Sequence, residues 1–317
     1  MLFSFADQPR YSCAAINFVN MWQPASLPYV RKDLDLYVPH RLPTAEECRA
    51  VSVALQKEVV SQVLFFEYHV VKYGGAVYPN EGHALLYLED CIPEIPAPRL
   101  LAMFQDAKQT FIIMERIPGK TLEKAWGGMS DAEKDEIMLE LKTSFDKMRQ
   151  HQCPWPHFFV GADGGPIPFF LFWTPEMKSE ISGPFQSEDD FNMGLIKKYE
   201  EEQAYNNCVS FRSTFYARHL GKVLHSHRPT FTHSDVQRKN MIVVDRDASM
   251  VSQRLKANRI AIVDWENGGW YPDYWEYFSS IIGIRSDDDW WTRADDFLTP
   301  FPAEFGLMKM VYHDLFF

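Results

Sequence analysis

A chain of 317 residues that is 46% hydrophobic and 15% aromatic can fill one large core or two adjoining lobes without cross-links. Its formal charge of −11 gives no electrostatic basis for a nucleic-acid partner, which needs a broad basic surface to displace counterions. Five widely spaced cysteines without a C-x-x-C pair read as free thiols of a reducing compartment; with no membrane-length apolar run and no leader-like N-terminus, the expectation is a cytoplasmic protein off the membrane.

Residues 1–43, rich in proline and aromatics without a clear period, are expected to form an irregular extension packed on the body. Thr44 followed by Glu47 is a capping-box signature that opens a helix to about residue 57. The valine, phenylalanine and tyrosine density over residues 59–73 then predicts paired strands, with Lys72 closing the second. Pro79 and Asn80 introduce a helix over residues 81–90, and two apolar runs, 99–105 and 110–116, flank a turn at 106–109. The order strand, strand, helix, strand, strand defines a β-rich lobe over residues 59–117, preceded by an extension and helix at 1–58.

Beyond Gly119 the pattern turns helical. Ser130 with Glu133 forms a second capping box, and Ile137, Leu141, Phe145 and Met148 recur at helical spacing. Residues 151–184 are dense in proline and glycine and read as a long loop, a kind of segment more often functional than idle. Helical patterns resume after Ser187, followed by strand-like runs at 241–244 and 260–263. Residues 118–317 therefore form a second lobe, and the chain is α+β: a small β-rich lobe joined to a larger, mostly helical one.

Each of the last two strand runs lies beside a polar cluster. In Thr232-His-Ser-Asp-Val-Gln-Arg-Lys-Asn240, a tight loop presents Asp235 and Asn240 five residues apart; in Ile262-Val-Asp-Trp-Glu266, Asp264 ends a β-rich run. Phosphoryl transfer needs a carboxylate near the attacking hydroxyl, oxygen ligands for magnesium and fixed positive charge on the phosphates. Asp235 and Asn240 could supply the first two, and Asp264 a further ligand for that hard cation. There is no G-x-x-x-x-G-K-[ST] loop, G-x-S-x-G elbow or H-E-x-x-H helix, and His225 and His227 read as solvated rather than metal-bound.

These segments resemble the aminoglycoside phosphotransferase and choline kinase-like family, in particular its fungal-type branch, where a loop of the form H-G-D-x-x-x-x-N precedes a strand ending I-D-W-E. The run Asp264-Trp-Glu-Asn-Gly-Gly-Trp-Tyr-Pro-Asp-Tyr-Trp-Glu276 is close to that pattern, and Met-Glu-Arg-Ile-Pro-Gly at residues 114–119 resembles the inter-lobe hinge. The resemblance runs from about residue 59 to the end. It implies a bilobal protein-kinase-like fold, ATP and Mg²⁺ as cofactors, and a small-molecule acceptor whose hydroxyl is phosphorylated. Asp235 would be the catalytic base or hydroxyl orienter, Asn240 and Asp264 the magnesium ligands, and Lys72 the phosphate-binding lysine paired with Glu81. The hinge at Glu115 and Ile117 would offer backbone groups to the adenine edge.

Two departures from the family pattern stand out. Ser234 replaces the usual glycine, which crowds the loop if the position needs φ above zero. The turn at residues 66–69 contains no glycine, so no backbone phosphate cradle is read there. A protein kinase is disfavoured because Asp264 is followed by Trp-Glu rather than Phe-Gly and no Ala-Pro-Glu triplet follows. The acceptor is expected between the catalytic loop and the segments 169–173 and 287–291; the latter is a candidate acidic, aromatic wall for a cation, against the usual reading of a charge run as a solvated face. The reading from another class is a catalytically silent binding protein on the same scaffold.

Overall fold

The computed structural model describes residues 22–54, 61–155, 159–248, 253–284 and 288–316. The beginning of the extension, the expected end of the first helix and Asp287 lie outside them. In chain order the first part contains β1 (Tyr29–Val30), α1 (Ala45–Ala54), β2 (Ser61–Phe65), β3 (His69–Gly74), α2 (Asn80–Cys91), β4 (Leu100–Asp106) and β5 (Gln109–Glu115). The strands form one antiparallel sheet in the order β1-β4-β5-β3-β2. The expected strand, strand, helix, strand, strand order is present, and the Thr44–Glu47 capping box starts α1. Two residues of the extension, Tyr29 and Val30, pair with Met103 and Ala102 as an edge strand. A two-residue strand is too short to show alternation in the sequence.

Alternation does decide what each face of the sheet meets. On β5, Phe111 and Ile113 enter a core with Cys48 of α1, whereas Ile112 and Met114 enter the core that contains α2. Directly paired residues share a face, so Lys72, opposite Ile112, points to the side where α2 lies. Helix α2 is buried from Asn80 to Leu88, which places an otherwise costly glutamate, Glu81, inside the protein. Close approach explains Gly82, where a Cβ would sit 2.5 Å from the Met103 sulfur.

The second part begins with β6 (Gly119–Thr121), α3 (Leu122–Trp126) and α4 (Asp131–Met148), the last opened by the complete Ser130–Glu133 capping box. Gly119 has φ +151° and a Cβ there would lie 2.1 Å from the Val243 carbonyl oxygen, so only glycine lets β6 reach β9. There follow β7 (Val160–Gly161), α5 (Ser179–Ser182), α6 (Glu188–Tyr205), α7 (Arg212–His219), β8 (Pro229–Thr232), β9 (Met241–Val244), α8 (Gln253–Lys256), β10 (Ile260–Ile262) and β11 (Gly269–Pro272). Helices α9 (Trp275–Ile281), α10 (Trp290–Phe297) and α11 (Pro302–Phe316) complete it. Two small antiparallel sheets, β10-β9-β6 and β7-β11-β8, hold the polar loops of this lobe. The loop expected over residues 151–184 is organised by an aromatic cluster in which Phe172 packs on Phe185, Phe191 and Trp275. The architecture is thus α+β and two-lobed, with a small β-rich lobe and a larger, mostly helical one. Among the described residues no helix is long and apolar enough to cross a membrane.

The β4–β5 hairpin closes through Ala107 and Lys108 at φ 48° and 62°, a two-residue turn of the type that favours Asn-Gly. Left-handed backbone costs an L-residue about 1–2 kcal/mol. Replacing Ala107→Asn together with Lys108→Gly is expected to raise unfolding stability by about 1 kcal/mol, measured as a higher urea midpoint at unchanged slope.

Candidate active site

A cavity of about 470 Å³ opens beneath the β3–β5 face of the sheet, against β6, β9 and the loops flanking them. Val70, Met114 and Ile242 give it apolar walls; Lys72, Asn240 and Asp264 reach it as polar groups. Of the residues singled out in the sequence, Lys72, Glu81, Glu115, Ile117, Asn240 and Asp264 all line this one cavity. Asp235 stands at its edge, its carboxylate accepting a 2.7 Å hydrogen bond from the Asn240 amide. The Glu115 carboxylate accepts from the Arg99 backbone N–H at 3.3 Å and faces Arg254 at 3.8 Å.

Lys72 sits among three carboxylates: Glu81 at 2.9 Å, Asp264 at 2.6 Å and Glu266 at 2.7 Å. Burial alone would favour the neutral amine, but the three negative charges override it and hold the ammonium protonated far above the usual lysine range. Burial pushes the Glu81 carboxyl up against the pull of Lys72. Burial also works against the Asp264 carboxylate, yet the charge and hydrogen bond of Lys72 keep it below the usual aspartate range. Glu266 is the exposed member of the trio, 54% accessible. Its part was not read from the sequence, where it appeared only as the close of a motif.

Helix α2 is pinned by Asn80. Its amide donates to the carbonyls of Glu266 and Gly268 at 2.9 and 2.8 Å and accepts from the Ala162 N–H at 2.8 Å. Glu81 is therefore held toward Lys72 by a residue that bonds directly to the other lobe.

The loop over residues 232–240 is built from buried polar groups, among them His233, Ser234 and Asn240. His233 accepts from the Asp235 N–H at 3.1 Å through Nδ1 and lies 2.9 Å from the Val263 carbonyl through Nε2. The carbonyl needs a donor and the N–H an acceptor, so the ring is a neutral Nε2–H tautomer, consistent with burial holding it below the usual imidazole range. Ser234 adopts φ 68°, the left-handed conformation that made the absence of glycine notable. Its N–H and that of His233 both donate to the Glu276 carboxylate, at 2.9 and 2.7 Å. Asn240 turns its amide nitrogen to Asp235, bonding the backbone carbonyl at 3.0 Å as well as the side chain. Both partners are acceptors, which fixes the amide orientation and leaves its oxygen without a protein donor among the described residues.

Two expectations are corrected by the packing. His227 is not solvated: its side chain is 9% exposed and lies 2.5 Å from Glu188 and 3.5 Å from Glu304. The acidic, aromatic run is not an open wall either. Asp288 and Asp289 both pair with Arg238, Asp289 also accepts from the Trp126 indole, and Trp290 is buried. Of the other expected acceptor segment, Phe169, Leu171 and Phe172 are core residues, whereas Phe170 and Trp173 are each 44% exposed.

No family model and no curated protein sequence matches the chain. Similar solved structures are aminoglycoside phosphotransferases. The apo form of a thermostable mutant of APH(4)-Ia is 13% identical over 84% of this chain and 87% of that one, with a TM-score of 0.49. A mutant of the same protein in ternary complex with ADP and hygromycin B is 12% identical over 73% and 74%, with a TM-score of 0.46. The aminoglycoside-3′-phosphotransferase of type VIII is 9% identical over 86% and 100%, with a TM-score of 0.47. At these identities and TM-scores, the fold rests on this chain's own elements and what the site does on its own residues.

Burial pushes the Glu276 carboxyl up to about 7, against the His233 and Ser234 N–H groups and the Arg149 charge. A carboxyl raised in the folded state from its usual 4.5 contributes stability that is full below about pH 4.5 and lost as pH rises through about 7. Glu276→Gln is expected to reduce the fall in denaturation midpoint between about pH 5 and 8. It should also cost about 1–3 kcal/mol at pH 5, because one amide oxygen cannot serve two buried N–H groups. An unaltered slope in the variant would assign the pH dependence to other groups.

Proposed function

We propose that this protein is a small-molecule kinase that transfers the γ-phosphoryl group of Mg-ATP to a hydroxyl of its acceptor. The observation that carries the reading is the convergence, at one cavity, of a carboxylate-anchored lysine, two oxygen-donor residues and a loop carboxylate. A cation–anion set split across both lobes is what positioning-dominated phosphoryl transfer requires.

Lys72, fixed by Glu81 inside the protein, is the point charge for the nucleotide phosphates. For it to do so, the exposed Glu266 is the carboxylate free to withdraw. The apolar cleft walls suit a purine ring, with the backbone of Glu115 and Ile117 at its edge. The residues fit magnesium: Asp264 is held ionised, and the Asn240 oxygen is left open by the amide's two bonds to Asp235. Both are hard donors, and the ion, when bound, would neutralise charge on the phosphate oxygens. Asp235 orients the acceptor hydroxyl and takes its proton as the oxygen attacks. His233 is a positioning residue that holds the loop to the Val263 strand end and stays neutral.

Calorimetric titration of ATP with and without Mg²⁺ tests this directly. Magnesium-dependent binding is expected in the wild type and its metal-dependent part should be lost in Asp264→Ala. Asp235→Ala should bind Mg-ATP nearly as the wild type while losing about 10²–10⁴-fold in transfer. Normal turnover in either variant would overturn the site assignment, and absence of nucleotide binding under every condition would favour a silent scaffold of the same fold.

A further inference from the structure

We propose that Lys239 is a catalytic residue of this site, the cation that binds the transferring γ-phosphoryl group from the floor of the cleft. The proposal rests on the kinase reading above and adds to it the source of positive charge at the point of transfer.

The roof is poorly equipped for that task. The β2–β3 turn lacks glycine, and the Phe66 N–H already donates to the His69 carbonyl at 2.9 Å. The Phe66 ring stacks on His69 at 4.7 Å, and its carbonyl accepts from Arg116 at 2.7 Å. The Phe66 N–H is thus spent within the hairpin, and none of residues 66–69 lines the cavity. Lys72 is the one cation of its cluster and faces three carboxylates, so the group as a whole does not present net positive charge to a triphosphate.

The floor differs. Lys239 lines the same cavity as Lys72, Asn240 and Asp264, and its ammonium lies 3.1 Å from Asp235 Oδ2. Its side chain is 50% exposed, so the flexible stem can swing without breaking a packed core. If Asp235 receives the acceptor proton, the attacking oxygen stands within about 3 Å of that carboxylate. The phosphorus then stands about 3–3.5 Å beyond that oxygen. An ammonium already touching the carboxylate is thereby within a side-chain movement of the equatorial phosphoryl oxygens. Lys120 and Lys124 line the same floor, and among the described residues neither makes an ion pair, so the charge at this side of the cleft is not cancelled.

In the step, the acceptor oxygen forms its bond to the γ-phosphorus as the bond from that phosphorus to the bridging oxygen of ADP breaks. The hydroxyl proton passes to Asp235, and the electron pair of the broken bond leaves on ADP. Protonation removes the negative charge that held Lys239, while the transferred group keeps its own. The ammonium therefore touches the γ-phosphoryl oxygens of bound ATP, and that contact strengthens as transfer proceeds and Asp235 takes up the proton.

A purely structural lysine that only positions Asp235 would not distinguish ATP from ADP, and that contrast provides the test. Mg-ATP and Mg-ADP affinities are measured by calorimetry for wild type, Lys239→Met and Lys239→Arg, each first shown to have the wild-type thermal midpoint. Loss of a charge-assisted contact predicts that Lys239→Met weakens Mg-ATP binding about 10-fold or more while Mg-ADP binding stays within about twofold. Lys239→Arg, which keeps the charge, should restore most of the difference. An ATP-to-ADP affinity ratio that is the same in Lys239→Met as in wild type overturns the proposal, even where turnover falls. A wild-type protein that binds neither nucleotide overturns the kinase reading itself, and the role of Lys239 with it.

Discussion

An ammonium taken out of water costs several kcal/mol unless its partners replace the lost hydration. The side chain of Lys72 is 12% exposed. Its three carboxylates come from α2, from residue 264 at the end of the β10 run and from residue 266 in the following turn, so the charge is balanced only when both lobes are in register. The converse holds for Glu81, whose burial in α2 is tolerable because the lysine stands 2.9 Å away. Sheet, helix and the second lobe are thus joined by one electrostatic cluster, and Asn80 fixes the geometry with hydrogen bonds to carbonyls either side of the same turn.

What could be read from the residues follows from the range of the forces involved. Strands β2 to β5 and helix α4 carry their own periodicity and capping boxes, so local pattern was enough. The edge strand at Tyr29 exists because β4 offers it a partner some seventy residues on, and no local period encodes that. The same distinction governs the site. Asp235, Asn240 and Asp264 stand in short spacings beside apolar strands and were legible as a constellation. Glu276 and Asn80 act through partners far along the chain, and Glu276 was visible only as the end of a resembling motif. The misreadings of His227 and of Asp288 and Asp289 have one cause: a charged residue in sequence carries no mark of whether its counter-ion waits elsewhere in the fold.

Burial also sorts the charges in and around the cavity into fixed and free. Glu81 and Asp264 are committed to Lys72, and Arg238 is committed to Asp288 and Asp289 while its guanidinium lies over the Trp126 ring at 5.2 Å. These pairs are scaffold; exchanging one partner leaves a desolvated charge behind. Lys239, Lys120, Lys124 and Glu266 keep solvent contact and can change partners at small cost. For the Mg-ATP proposed above, rigid pairs would define where the phosphates lie and mobile charges would accommodate their arrival.

Strain lies with the fixed set. Ser234 and Asp264 occupy left-handed backbone at φ 68° and 67°, each at a cost of about 1–2 kcal/mol for a residue with a Cβ. Both are held by bonds that a relaxed backbone would break: Ser234 by its N–H on Glu276, Asp264 by the preceding Val263 N–H on the Asn240 carbonyl and by its own carboxylate on Lys72. Glycine at position 234 would remove one cost, but the conformation is set by the buried Glu276 that collects two successive N–H groups, a geometry the neighbouring residue's side chain does not determine. A serine is therefore compatible with the loop, and the price appears in stability rather than in the placement of Asp235.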